Sequence, residues 1–206
     1  ETLALSVVAG RWTRRESPRQ SGWAHLLEHM VFKGAGSRTA RGLVEAIEDK
    51  GGSINAATGY ERTSFQVRAL KGGLPLAVEV LSDLVLRPVL DGDELKREIG
   101  VVCQEIAEAA DTPDDIVFEM AQEAAYEDQP LGRSILGTDA SLAPATAATL
   151  AQWRAALYAP DALVIAASGA VDEDEVLRLA ERDFGRASGQ GAPAYAPAAF
   201  TGGVRT

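Results

Sequence analysis

Several residue types are scarce in this sequence, and each scarcity excludes something. There is one cysteine, Cys103, so no disulfide can form within the chain. It sits in the apolar stretch VVCQEI, where a small core residue is a better reading than a reactive thiol. Basic residues number 20 against 30 acidic ones, a net charge of −10. Nucleic acid as a partner calls for a basic footprint and is not expected. A solvated acidic surface explains the charge first, and cationic substrates second. No apolar run nears the roughly 18 residues that span a bilayer, so no membrane partner is expected either. The first ten residues, ETLALSVVAG, lack the basic start and the apolar length of a signal peptide, which points to a cytoplasmic protein. They open directly into a strand-like segment with no Met, as if an upstream segment had been removed. Aromatic residues are few, at 6%, yet 46% of the 206 residues are hydrophobic. That is enough to bury a core in one large domain or two small ones.

The hydrophobic pattern predicts an α+β order. Residues 3–9 read as a strand rich in Val and Leu. The segment 23–32, WAHLLEHMVF, contains no Gly or Pro and is apolar around most of a helix, which places it inside the protein. Thr39 caps a helix over about 40–50, ended by Gly51-Gly52. Strands follow at 53–58 and 62–70. In the second, Thr63, Phe65, Val67 and Ala69 alternate with Ser64, Gln66 and Arg68, the mark of a half-buried strand. A helix near 73–86 stops before Pro88. Asp91 and Glu94 form a capping-box-like start to a long helix, 92–110, and Thr112-Pro113 starts another. A Gly-containing loop at 130–139 leads to a helix over 146–158, an apolar strand at 162–168, and a helix capped by Asp172. The fold class expected is α+β, a mixed or antiparallel sheet with helices packed on it. After Gly185 the chain turns to Ala, Pro and Gly, so residues 1–185 read as the domain and 186–206 as a linker.

Histidine is the scarcity with the most chemistry in it. The only two, His25 and His29, lie four residues apart, a spacing that chance gives roughly once in a hundred placements. On a helix, positions i and i+4 share a face, so both imidazoles can reach one metal ion. Glu28 lies between them, near the same face, placed to act as a base toward a water. Two satisfied core histidines on an apolar helix are the bland alternative. Zinc takes nitrogen and oxygen ligands and keeps one position open in catalytic sites, so a third protein ligand is expected. The 92–110 helix offers acidic residues for it. Glu98 and Glu105 are seven apart and share a face, with Glu94 one turn earlier. Spacing does not choose among them, and an acidic solvent face made of Glu94, Glu98, Glu105 and Glu108 accounts for the same pattern.

These residues also resemble a known family. His25-Leu26-Leu27-Glu28-His29 matches the inverted zinc motif H-x-x-E-H. In its setting, GWAHLLEHMVFKG from Gly22 to Gly34, it is similar to the pitrilysin family (peptidase family M16), which includes insulysin and the mitochondrial processing peptidases. Further matches are Gly51-Gly52, Asn55-Ala56, Thr58, Glu61, Thr63, Glu98, the run Val102-Cys103-Gln104-Glu105-Ile106, Asp111 to Asp115, and PLGRSILGT from Pro130 to Thr138. The similarity extends over about residues 9–185, and the processing-peptidase branch, as its compact bacterial relatives, is the nearest in character. The resemblance implies a zinc-dependent endopeptidase acting on oligopeptides, presequences or unfolded segments. It implies Zn2+ on His25, His29 and Glu105, with Glu28 as general base and Glu98 as a supporting acid beside the ligands. It implies that peptide substrates lie along the Gly51–Ala56 strand, touching Asn55 and Ala56, by β-augmentation. A second, similar half or subunit is the partner it implies; the chain stops at Thr206, lacks the family's usual first strand, and reads as the N-terminal half. The rivals are a non-catalytic partner subunit that keeps the fold, and a structural zinc domain. The intact His25, Glu28, His29 and Glu105 set argues against the first. Glu28 argues against the second, since a structural site takes four protein ligands and no base.

Overall fold

Alternation decides the centre of the molecule. In β1 (Thr2–Ala9) the side chains of Leu3, Leu5, Val7 and Ala9 are buried and those between them are not. The computed structural model describes residues 1–10, 13–185, 187 and 197–204. Along it follow α1 (Trp23–Val31), β2 (Gly34–Ala35), β3 (Arg38–Thr39), α2 (Ala40–Glu48), β4 (Ser53–Thr58), β5 (Thr63–Leu70) and α3 (Leu74–Leu86). Next come α4 (Gly92–Ala110), α5 (Pro113–Ala125), α6 (Asp139–Leu142), α7 (Ala147–Leu157), β6 (Leu163–Gly169) and α8 (Glu173–Phe184). Single turns of 3-10 helix at Thr13–Arg15, Pro18–Gln20, Pro130–Gly132 and Pro160–Ala162 join some of them.

Among the described residues, β4, β5, β1 and β6 form one antiparallel sheet in that order. β5 buries Thr63, Phe65, Val67 and Ala69, the alternation expected from sequence, and sets Phe65 against Val7 and Val67 against Leu5. A single register brings all these side chains to one face, since a slip by one residue would turn every one of them outward. Helices α1 and α3 pack on that face, joined by α2, α7 and α8. The architecture is α+β. No described helix is long and apolar enough to cross a membrane.

Helix α1 shows how packing overrides local preference. A nine-residue helix does not hold itself together in water. Six of its nine residues are buried, among them Leu26, Leu27 and Met30, which are wholly inaccessible. Each such side chain contributes about 1.5–3 kcal/mol on burial. The three left partly open are His25, Glu28 and His29.

Three details depart from the sequence reading. Thr39, expected only as a helix cap, also pairs with Gly34, and Arg38 with Ala35, in a two-stranded ribbon. The start of α4 has only half a capping box. Asp91 Oδ1 accepts from the Asp93 and Glu94 N–H groups at 2.9 and 3.0 Å, whereas the Glu94 carboxylate pairs with Arg97. The apolar strand expected at 162–168 runs from Leu163 to Gly169 and lies at a sheet edge, with Val164 62% exposed. Of the segment read as linker, residue 187 and residues 197–204 are described, and the rest lies outside the described residues. Residues 199–201 run against the end of α5: Thr201 N–H donates to the Ala125 carbonyl at 2.9 Å, and Gln129 exchanges two bonds with Ala199.

Candidate functional site

Because Gly22 precedes α1 in a left-handed conformation and has no side chain, the helix is capped from a distance. The buried Glu16 carboxyl group accepts from the Gly22 N–H at 2.9 Å and the Ala24 N–H at 2.7 Å, satisfying two donors at the helix N-terminus. Arg133 donates to the Glu16 backbone carbonyl. The 130–142 region closes over the same end: Trp23 Nε1 donates to the Ser141 carbonyl at 2.9 Å, and Ser141 Oγ to the Ser21 carbonyl at 2.7 Å. Gly22 (φ 87°) and Gly137 (φ 78°) pass so closely that a Cβ on either would stand 2.3 Å from the other strand's carbonyl oxygen. Loop and helix therefore fix one another, and the helix carries both histidines.

Burial raises the Glu16 carboxyl to about 7, against the backbone hydrogen bonds that pull it down. The folded chain then keeps a proton that the unfolded chain sheds near pH 4.5. The resulting stabilisation is fully present below pH 4.5 and is lost as pH rises to about 7. Its size is at most on the order of 3 kcal/mol. Urea midpoints at pH 5 and pH 7.5 are expected to show this decline in the parent and a flatter profile in Glu16→Gln. Equal slopes in the two proteins would refute it.

On the open side of α1, one turn brings His25 and His29 together, with ring centres 4.6 Å apart. α4 packs across α1 and delivers Glu105. Glu105 Oε2 lies 3.7 Å from His25 Nε2 and 3.6 Å from His29 Nε2. All three donor atoms fall within 4.8 Å of one another. Zinc bonds of about 2.0–2.1 Å in tetrahedral array set donors roughly 3.3 Å apart, so the set fits one ion after a small contraction. Burial, helped by the neighbouring His29, lowers His25 to about 4, which keeps it neutral and able to ligate near pH 7. Its Nδ1 is buried with no hydrogen-bond partner among the described residues.

Glu98 is the buried acid of α4, and it faces His29. Its Oε2 lies 3.0 Å from His29 Nδ1, and its Oε1 lies 2.6 Å from Lys33 Nζ. A proton on Nδ1 frees the Nε2 lone pair toward Glu105, so Glu98 selects the tautomer a metal needs. Burial pushes the Glu98 carboxyl up, but the hydrogen bonds from Lys33 and His29 outweigh it and hold the group below its usual range. Glu94 and Glu108 do not join this cluster. Glu94 pairs with Arg97, and Glu108 is exposed.

The half-buried Glu28 carboxylate accepts a hydrogen bond from Thr58 Oγ1 at the end of β4. Burial raises its pKa, and the Thr58 bond acts against that rise. Asn55 and Ala56 on β4 line a shallow cleft of about 280 Å³ with Glu28, His29, Phe32, Lys33 and Glu98. The edge of β4 away from β5 has no strand beside it among the described residues. Sequence reading brought forward His25, Glu28, His29, Glu98, Glu105, Asn55 and Ala56. It passed over Lys33 and Glu16 and gave Thr58 no role. These act across 65, 8 and 30 residues of chain, and no periodicity reports contacts at such separations. Lys33, one turn beyond His29, was the nearest to a readable signal.

Comparisons with known proteins identify the family and the fold. A sequence model of the insulinase family (peptidase family M16) matches residues 2–139. The chain is 34% identical over 202 residues to a protein of Rickettsia bellii named an uncharacterized zinc protease, covering 98% of this chain and 49% of that one. It is 36% identical over 184 residues to the beta subunit of the mitochondrial processing peptidase of Saccharomyces cerevisiae, covering 89% of this chain and 39% of the subunit. The chain thus spans about half the length of the curated relatives it matches. Among solved structures, a protease from Helicobacter pylori superposes with a TM-score of 0.87 at 22% identity, over 96% of this chain and 48% of that one. Pitrilysin does so with a TM-score of 0.81 at 23% identity, over 96% of this chain and 22% of pitrilysin. At these identities the two structures speak for the fold alone.

Proposed function

The chain belongs to the insulinase family of peptidases, and from that premise we propose that residues 1–185 are the catalytic domain of a zinc-dependent endopeptidase acting on oligopeptides, presequences or unfolded segments. The observation that carries the proposal is the convergence of His25 Nε2, His29 Nε2 and Glu105 Oε2 beside the carboxylate of Glu28. His25, His29 and Glu105 would hold the ion. Zinc, when bound, supplies Lewis acidity, lowering the pKa of a water toward about 7 and polarising a carbonyl. Glu28 takes the proton that the attacking water releases and passes it to the leaving amine. Its raised pKa helps both steps, since a base works best near the working pH. Glu98 and Lys33 hold His29 in the required tautomer.

The shape of the site favours an extended chain as substrate. The cleft is shallow, and one wall is the free edge of β4. A peptide laid along that edge gains main-chain hydrogen bonds with little demand on its side chains, and Asn55 and Ala56 are placed to touch it. The opposite wall is assigned to a second half or subunit of the same type, with residues 186–206 leading toward it.

The reading is tested on the longer protein that contains this chain, with a quenched fluorescent peptide. Hydrolysis is expected to stop on chelation and return with zinc. Undiminished turnover after complete removal of metal would refute a zinc peptidase. The 206-residue chain alone, at equal zinc occupancy, is expected to show kcat/KM at least about a hundredfold lower, since a misplacement of about 1 Å costs that much. Equal values would remove the need for a second half.

A further inference from the structure

We propose that Thr58 is a positioning residue for Glu28: its hydroxyl, backed by the hydroxyl of Thr63, holds the Glu28 carboxylate in the orientation in which it takes the proton. The inference rests on Glu28 being the base and goes beyond it, because it assigns the control of that base to the substrate-bearing strand.

The hydrogen-bond inventory sets the direction of the chain. Thr58 Oγ1 bonds to Glu28 Oε2, and it also lies 2.9 Å from Thr63 Oγ1. A hydroxyl has one proton, and a carboxylate can only accept. Thr58 therefore donates to Glu28, and Thr63 must donate to Thr58. Both protons point toward the carboxylate, an arrangement in which each bond polarises the next. Thr63 is fully buried and Glu28 half-buried, so water competes poorly for these partners.

The hydroxyls are also held still. Thr58 ends β4 and Thr63 begins β5, and the two are direct partners across the hairpin. The turn between them is closed by Gly59 N–H to the Arg62 carbonyl at 2.8 Å. It is tied to the Thr13–Arg15 turn by Thr13 Oγ1 donating to the Tyr60 carbonyl at 2.6 Å, and by Arg14 N–H to the same oxygen at 3.3 Å. Cross-strand threonine pairs also occur merely to stabilise a sheet. Such a pair has no need of a carboxylate from a helix 30 residues away in sequence, and here that carboxylate is the end of the chain. Since Asn55 and Ala56 sit on the same strand, β4 would set the position of the peptide bond and of the base together.

The test uses Thr58→Val and Thr58→Ser in the full-length zinc-loaded protein, with peptide kinetics, zinc stoichiometry and thermal melting as readouts. Thr58→Val keeps the shape and removes the hydroxyl. It is expected to lower kcat by about tenfold to a hundredfold, with KM and bound zinc within about twofold of the parent, since an unfixed base forfeits part of the roughly 10²–10⁴-fold it supplies. Thr58→Ser restores the hydroxyl and is expected to return kcat to within about threefold. A Thr58→Val enzyme as fast as the parent would overturn the proposal. So would a Ser variant as slow as the Val variant, a change confined to KM, or loss of zinc with the hydroxyl. If Thr58→Val does not fold, Thr58→Ala against Thr58→Ser decides on the same readouts. Glu28→Gln is run beside them. If that variant keeps its activity, the assignment of the base fails. If it is inactive while Thr58→Val matches the parent, the positioning proposal fails alone.

Discussion

Replacing Glu28 with glutamine is expected to lower kcat by at least about a thousandfold while zinc content and melting temperature stay those of the parent. The side chain sits on the open face of α1, so the substitution disturbs none of the six buried residues that seat the helix. Glutamine has the same size, and its amide oxygen still accepts from Thr58 Oγ1. What it loses is the ability to take a proton. Proton transfer by a positioned group is worth roughly 10²–10⁴-fold, and here a single carboxylate would serve both the attacking water and the leaving amine. Since the lost interaction belongs to the transition state, kcat and kcat/KM should fall together and KM should barely move. Rates on a quenched peptide, with metal analysis on the same samples, check this. A variant within tenfold of the parent would show that another group removes the proton.

The elements that sequence reading found are those whose signals are local. Thr39, Asp91 and Asp172 all cap the helices they were expected to cap, because an N-cap bond spans only two or three residues. The alternation in β5 survives intact because a strand with one face in the core must repeat every two residues. The ribbon of β2 and β3 left no such trace, since two residues are too few to show a period. Glu94 misled for a different reason. It has the right spacing for a capping box, but Arg97 one turn on is a competing partner, and the ion pair forms instead.

The site divides in the same way. The pairing of His25 with His29 needs only a helix, and so it could be read directly. Choosing Glu105 over Glu98 required knowing how α4 lies across α1, which no spacing along α4 contains; the family resemblance supplied that choice. In the fold both acids face α1, but at different depths. Glu98 is buried against Lys33 and the far nitrogen of His29, while Glu105 is half-open beside both near nitrogens. Glu16 was hidden because the residue that caps α1 is not at the cap position. Gly22 holds that position for its backbone, and the carboxyl group comes from six residues earlier.

This difference in depth sets an order for zinc affinity, and the order is the sharpest check on the ligand set. His25→Ala, His29→Ala and Glu105→Ala are each expected to weaken zinc binding by a hundredfold to a thousandfold or more. Structural zinc contributes roughly 10–16 kcal/mol over about four ligands, so one ligand is worth about 3 kcal/mol. His29→Ala should be the worst of the three. It removes a donor and also leaves the buried Glu98 carboxylate with Lys33 as its only ion-pair partner among the described residues. Glu98→Gln keeps the donors and weakens only the orientation of His29, so a loss of about tenfold to a hundredfold is expected. Lys33→Met should cost less again, because it acts through Glu98. Glu94→Gln and Glu108→Gln should leave affinity unchanged, being the solvent-facing acids of the same helix. Competition against a chromophoric chelator at pH 7.5 measures the whole series. If Glu94→Gln or Glu108→Gln costs as much as Glu105→Ala, or if Glu98→Gln costs more, the third ligand has been misassigned and the packing of α4 against α1 must be redrawn.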